Sequence, residues 1–200
     1  MATVTMLGLA DHGRPVATAE FESADFEPGY KYEIIHGKLY VTYEPDFPED
    51  FLANWLWGKL KLYAMTRSNI INYVTTKARV FVPRQKATIP EPDIAAYSGL
   101  RVGRDLSRVN SRRLSPVIVA EVMYRADPFK DLVRNVELYL EVPTIREYWI
   151  LDARDGPNDP TLIVFRRRGS RWLPKVEVPY RSTYTTPLLP GFKLLIDPRR

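Results

Sequence analysis

Residues 116–124 read PVIVAEVMY. Apart from one acid the run is almost continuously apolar, the mark of a strand covered on both faces. Strand alternation sets Val117, Val119, Glu121 and Met123 on one face. An ionised carboxylate between valine and methionine is costly to bury unless a cation, a hydrogen-bond network or a proton answers it. Glu121 therefore reads in two ways: as a functional acid, or as a strand-end acid paired with one of the chain's many arginines.

A second short strand lies upstream, Asp93 to Tyr97, entered through Pro90 and Pro92. Proline is tolerated there because the missing N–H costs the ladder little. Asp93 shares a face with Ala95 and Tyr97. It reads as a partner for Glu121 on a neighbouring strand, or as a strand-entry residue capping backbone N–H groups after a proline-rich turn. Two carboxylates on a rigid sheet suit Mg²⁺ (or Mn²⁺), which keeps several waters and needs only one or two acids. Such an ion meets the needs of phosphodiester hydrolysis. An acid pair could also serve a glycosidase, although no sugar-stacking groove is legible.

Working outward, residues 1 to 24 carry no clear period and read as a flexible arm ahead of a single domain over 25 to 200. KYEIIHGKLYV has two apolar runs around His36-Gly37, which predicts a hairpin. Phe51, Trp55, Leu56, Leu60, Leu62 and Tyr63 recur at near-helical spacing, predicting a helix over Glu49 to Met65 with Asp50 near its N-cap. IINYVTTKARVFV reads as a strand over 70 to 82, and the arginine-heavy 98 to 115 as a loop. Phe129, Leu132, Val133, Val136, Tyr139 and Leu140 predict a second helix. A strand at Glu147 to Asp152 and a hairpin within LIVFRRRG and RWLPKVEVPY complete an α/β sandwich, a mixed central sheet flanked by helices.

Composition narrows the function. There is no cysteine, so disulfides, thiolate zinc sites and cysteine nucleophiles are excluded. Two histidines, His12 and His36, make a histidine-rich metal site implausible. No apolar run approaches the roughly 20 residues needed to span a bilayer, and the N-terminus lacks a signal pattern. The expectation is a cytoplasmic protein without membrane contact. A net charge of +5 leans slightly toward an anionic partner such as DNA.

YEIIHGKLYV at 32–41, PEPD at 90–93, AEV at 120–122, REYWILD at 146–152 and LPGFKLLID at 189–197 resemble, in that order, the Uma-two family of restriction endonucleases within the PD-(D/E)XK superfamily. The resemblance spans about residues 28 to 197 and implies a restriction-endonuclease-like core. It also implies a metal site built from Asp93 and Glu121, with the Val122 carbonyl as a third ligand and Glu33 holding a metal-bound water. Tyr139 and Trp149 match family positions too, though aromatic residues at such spacings more often serve a core.

The resemblance breaks at the lysine. Its usual place, two residues after the glutamate, holds Met123; the alternative place, four residues before Tyr139, holds Asn135. Asparagine can orient a water but brings no charge. On an α-helical wheel of about 100° per residue, Lys130 and Arg134 fall on the opposite flank from Asn135. Lys130 reaches the site only if the chain is still loop there. Two readings follow: a Mg²⁺-dependent endonuclease acting on DNA, or a weak or inactive nuclease-fold module. The arginines at 101, 104, 108, 112 and 113 and across 166 to 171 read as phosphate contacts or as a solvated face. Trp55 and Trp57 cannot both face one core, so the first helix could offer a homodimer contact.

Overall fold

The computed structural model describes residues 5–100, 110–125 and 127–200. Arg101, Arg104 and Arg108 lie outside that set. The chain opens with β1 (Met6–Leu7), α1 (Thr18–Ser23) and β2 (Asp25–Phe26), followed by the hairpin strands β3 (Tyr30–Ile35) and β4 (Lys38–Tyr43). The core is a mixed sheet with strands in the order β10 (Arg171–Trp172), β9 (Thr161–Arg168), β8 (Glu147–Asp152), β7 (Ile118–Met123), β6 (Ile94–Tyr97) and β5 (Tyr73–Thr75), with β11 (Val176–Val178) also on β9. Its central strands are β6, β7 and β8. The β7–β8 pair is parallel, and β6–β7 and β8–β9 are antiparallel. A parallel neighbour requires a crossover, and the second helical segment supplies it.

Alternation along β7 divides the core into two layers. Ile118, Ala120 and Val122 pack with Trp149, Leu151 and the first long helix, α2 (Phe47–Thr66). Val119 and Met123 pack on the other side with Tyr139, Tyr148 and Ile150. Both faces are thus covered, as the apolar text of 116–124 requires. α2 begins at Phe47, two residues before the predicted start, because Asp46 is the N-cap: its Oδ1 accepts the Glu49 N–H. Its buried stripe is Leu52, Leu56, Leu60 and Tyr63, and each buried leucine contributes roughly 1.5–3 kcal/mol. Phe51 and Leu62, predicted inward, are exposed. Trp55 and Trp57 instead flank the stripe, both half-buried, with indole N–H groups donating to the Arg200 and Val74 carbonyls.

The long strand expected over 70 to 82 is shorter. Only β5 (Tyr73–Thr75) pairs in the sheet; Val80 and Val82 bond to the Pro90 and Thr88 carbonyls beyond it. The first hairpin is β3 (Tyr30–Ile35) and β4 (Lys38–Tyr43), turning at His36 and Gly37 with φ of 52° and 77°. Two positive φ values match the right-handed twist of a tight hairpin, and glycine adopts its share without strain. In place of the loose arm expected over 1 to 24, residues 5–24 pack on this hairpin. Leu7, Val16 and Phe21 are buried against Ile34, Leu39 and Val41. The apolar residues are too widely spaced to display a period, and long-range contacts order them.

Downstream, β9 (Thr161–Arg168) pairs with β10 (Arg171–Trp172) and β11 (Val176–Val178), the predicted hairpin. Arg167 is structural: its Nη2 donates to the Tyr139, Leu140 and Val142 carbonyls around the helix end, where a cation suits the helix dipole. Arg112 likewise pairs with Glu22.

Candidate active site

Register brings the two acids together. Ile94 pairs with Ala120 and Ala95 with Val119, so one further step of the antiparallel ladder sets Asp93 opposite Glu121. Both residues belong to the face of Ala95, Val119 and Met123. Asp93 accepts the Lys31 ammonium at 2.7 Å on Oδ1 and the Val122 N–H at 2.7 Å on Oδ2. For Val122, then, the backbone amide is the group in contact with Asp93.

Glu121 is fully buried, and both of its oxygens are partnered. Its Oε1 accepts the Asn135 amide at 3.0 Å and the Tyr139 hydroxyl at 2.9 Å; its Oε2 accepts Lys130 Nζ at 3.2 Å. Met123 is buried among apolar side chains and comes from the same strand face. Asn135 Nδ2 also lies 3.1 Å from Asp131 Oδ1, and Lys130 Nζ lies 3.0 Å from that same oxygen. Among the described residues, Asp131 Oδ2 is buried without a partner. Glu33, expected to hold a metal-bound water, is buried; it accepts the Glu91 N–H at 3.0 Å and Arg134 Nη2 at 2.9 Å.

Lys130 leaves the flank that an α-helical wheel assigns it, for a local reason, while Arg134 turns to Glu33. Residues Lys130–Arg134 form a π-helical turn leading into α3 (Asn135–Leu140), and the Asn135 N–H donates to the Lys130 carbonyl. In i→i+5 geometry residues five apart share a flank, whereas on an α-helix they diverge. Lys130 and Asn135 therefore meet Glu121 from the same side. Such turns are frequent at functional sites.

Lys31 escaped the sequence reading although a signal existed. It precedes Glu33 by two residues on β3, and strand alternation places both on one face. Once Glu33 was a candidate, Lys31 was its neighbour.

Electrostatics divides the two acids. Burial pushes the Asp93 carboxyl up, but the charges of Lys31 and Lys130 outweigh it and hold Asp93 below its ordinary value. Glu121 is pushed up to about 8, chiefly by burial; Lys130 opposes the rise, and the charges of Asp93 and Asp131 add to it. Burial alone would lower the Lys130 ammonium, yet Glu121, Asp131, Glu33 and Asp93 keep it firmly protonated. Beside the cluster a cleft of about 400 Å³ is lined by Lys31, Asp93 and Glu49 among others. Burial and the charge of Asp93 push Glu49 up to about 7.

Among the described residues, no group of three or more histidine, aspartate or glutamate side chains is arranged to hold a metal ion. The Asp93–Glu121 pair is a set of two. None of the helices in the described residues is long and apolar enough to cross a membrane.

A family model described as "Uma2: Putative restriction endonuclease" matches residues 18–197. A crystal structure titled as a "putative nuclease belonging to DUF820" from Anabaena variabilis aligns with a TM-score of 0.70 at 14% identity, over 91% of this chain and 96% of that one. At that identity the likeness shows the fold: a mixed sheet flanked by helices, as in restriction endonucleases. No curated protein matches the chain.

Proposed function

Since the chain belongs to the Uma2 family and has the restriction-endonuclease-like fold, we propose that it is a nuclease-fold module that binds nucleic acid and cleaves phosphodiester bonds only weakly, because its own lysines occupy its acid pair. One observation carries this reading: Lys31 Nζ stands on Asp93 and Lys130 Nζ on Glu121. A cluster that neutralises itself has less need of an ion, and an incoming cation must displace two ammonium groups held at close range.

The fold family implies a divalent metal, and the donors fit one. Each carboxylate oxygen can accept two hydrogen bonds. Glu121 Oε1 already has two, whereas Glu121 Oε2 and both Asp93 oxygens have one each. Those hard oxygens, with the Val122 carbonyl as third donor and waters for the rest, suit Mg²⁺ or Mn²⁺. When bound, the ion polarises a phosphoryl oxygen and makes a coordinated water more acidic. The chain's own groups do the remainder. Asn135 and Tyr139 hold Glu121 Oε1 in one orientation. Lys130, displaced from Glu121, is a mobile cation for the charge that develops on the phosphate. Glu33, clamped by Arg134 and the Glu91 amide, can hold a water.

A second reading is a fully active Mg²⁺-dependent endodeoxyribonuclease. The presence of Lys130 at Glu121 favours it, since this is the charge that the Met123 and Asn135 positions lack. Calorimetric titration with Mn²⁺ alongside plasmid cleavage separates the two. The weak-module reading expects poor metal affinity and slow nicking that climbs with Mn²⁺ and vanishes in Asp93→Ala and Glu121→Ala. Tight, saturable Mg²⁺ binding with rapid cleavage would replace it with the second reading. Cleavage surviving both substitutions would remove the cluster from the chemistry. The homodimer contact expected on α2 would use its exposed Phe47, Phe51, Leu62 and Met65, and sedimentation tests it.

A further inference from the structure

The face of the sheet that carries Asp93 and Glu121 also carries a pair of tyrosines. Tyr73 on β5 pairs with Tyr97 on β6, and Thr75 pairs with Ala95. Alternation therefore sets Tyr97, Ala95 and Asp93 in one row, with Tyr73 and Thr75 beside it. The rings of Tyr73 and Tyr97 are 5.8 Å apart; Tyr97 is 6% exposed and Tyr73 is 40% exposed. A buried ring thus backs one that is open to solvent. They belong to a cavity of about 390 Å³ whose lining includes Thr75, Lys77, Arg79 and Glu91. Lys77 and Glu91 also line the cleft at Asp93, so the two cavities share a wall.

Charge separates the two spaces. The cleft at Asp93 is walled by Glu44, Glu49, Asp50, Glu91 and Asp93 against two lysines, so its wall has no cation to spare for anchoring a phosphate. The tyrosine cavity carries Lys77 and Arg79 against Glu91 alone. Lys77 is exposed and makes no ion pair among the described residues, while Arg79 is held over the Phe21 ring at 4.3 Å. A ring backed by a second ring, with the Lys77 ammonium lining the same cavity, is the pairing that unstacked bases and their phosphates require. Tyr97 lies four residue steps along the strand from Asp93, about 13 Å. That places the ring a few nucleotides from the acid pair.

Resting on the nucleic-acid reading above, we propose that Tyr73 is the platform on which an unpaired nucleobase stacks, with Lys77 on its phosphate, so that the preferred ligand is single-stranded. The strand enters over the tyrosine cavity and reaches the acid pair from that side.

The test is fluorescence anisotropy with labelled oligo-dT and with a duplex of equal length, in chelator, using the full chain. Tyr73→Ala is expected to weaken oligo-dT binding about fivefold to a hundredfold, and Tyr73→Phe, which keeps the ring, to match wild type. Duplex binding should be weaker than oligo-dT in the wild type and indifferent to Tyr73→Ala. A melting curve of Tyr73→Ala coincident with wild type, expected for an edge residue this exposed, assigns the loss to the ring. Equal oligo-dT affinity in Tyr73→Ala and wild type overturns this inference and leaves the nucleic-acid reading intact. Wild-type protein that binds neither probe overturns both.

Discussion

Lys130 Nζ stands 3.2 Å from Glu121 Oε2 although an α-helical wheel sends Lys130 away from the sheet. The π-turn over Lys130–Arg134 makes the contact by bonding the Asn135 N–H to the Lys130 carbonyl. A lysine is thus returned to the acid pair from a position that a regular helix would have wasted.

If that ammonium offsets charge on the phosphate, Lys130→Met should slow Mn²⁺-supported nicking about a hundredfold to a thousandfold. Lys130→Arg, which keeps a cation, should lose less. Rates are read under single turnover on supercoiled plasmid. Equal rates for Lys130→Met and wild type would leave the lysine with a structural role only.

The buried glutamate makes stability depend on pH. Glu121 sits at about 8 in the folded chain against an ordinary 4.5, so the folded state holds this proton more tightly than the unfolded one. The stabilisation is complete below about 4.5 and is lost as pH rises through about 8. Glu121→Gln removes the contribution. Urea melts in chelator at pH 5, 7 and 9 should show the variant gaining on wild type as pH rises. Parallel profiles would mean that Glu121 does not titrate in this window.

Lys31 competes for Asp93, so Lys31→Met should bind Mn²⁺ more tightly than wild type. A gain of about tenfold corresponds to ~1.4 kcal/mol. Calorimetry with Mn²⁺ alone reads it. Unchanged or weaker binding would show that the ammonium is no competitor.

Asn135 bridges Glu121 Oε1 and Asp131 Oδ1 inside the protein. Asn135→Leu removes both hydrogen bonds while keeping the number and branching of the side-chain heavy atoms, in a bulkier form, and should destabilise the fold by about 1–3 kcal/mol. A urea midpoint equal to that of wild type would mean that Tyr139 and Lys130 suffice to satisfy the acids.

Much of the framework was legible because it rests on local rules. The continuous apolar text of 116–124 implied a strand covered on both faces, and Val119 and Val122 are buried in opposite layers. The hairpin at His36-Gly37 and the strand over Glu147–Asp152 followed from turn chemistry and β-branched or aromatic content. The second half of 70–82 misled for the same reason: its composition favours strand, yet it lies outside the sheet and bonds to the Thr88 and Pro90 carbonyls. Composition does not say whether a partner strand is there.

For the candidate site, sequence alone determined which residues were suspect. An acid in an apolar strand is conspicuous wherever the strand lies, because burying charge is expensive in any fold. Only the tertiary structure decided what answers those acids. The Lys31 contact depends on a hairpin packing over a strand sixty-two positions away. The Lys130 contact depends on a helical turn that widens against a buried carboxylate. Neither hairpin docking nor a change of helical pitch leaves a period in the sequence, since both are set by contacts between segments and not by the residues of one.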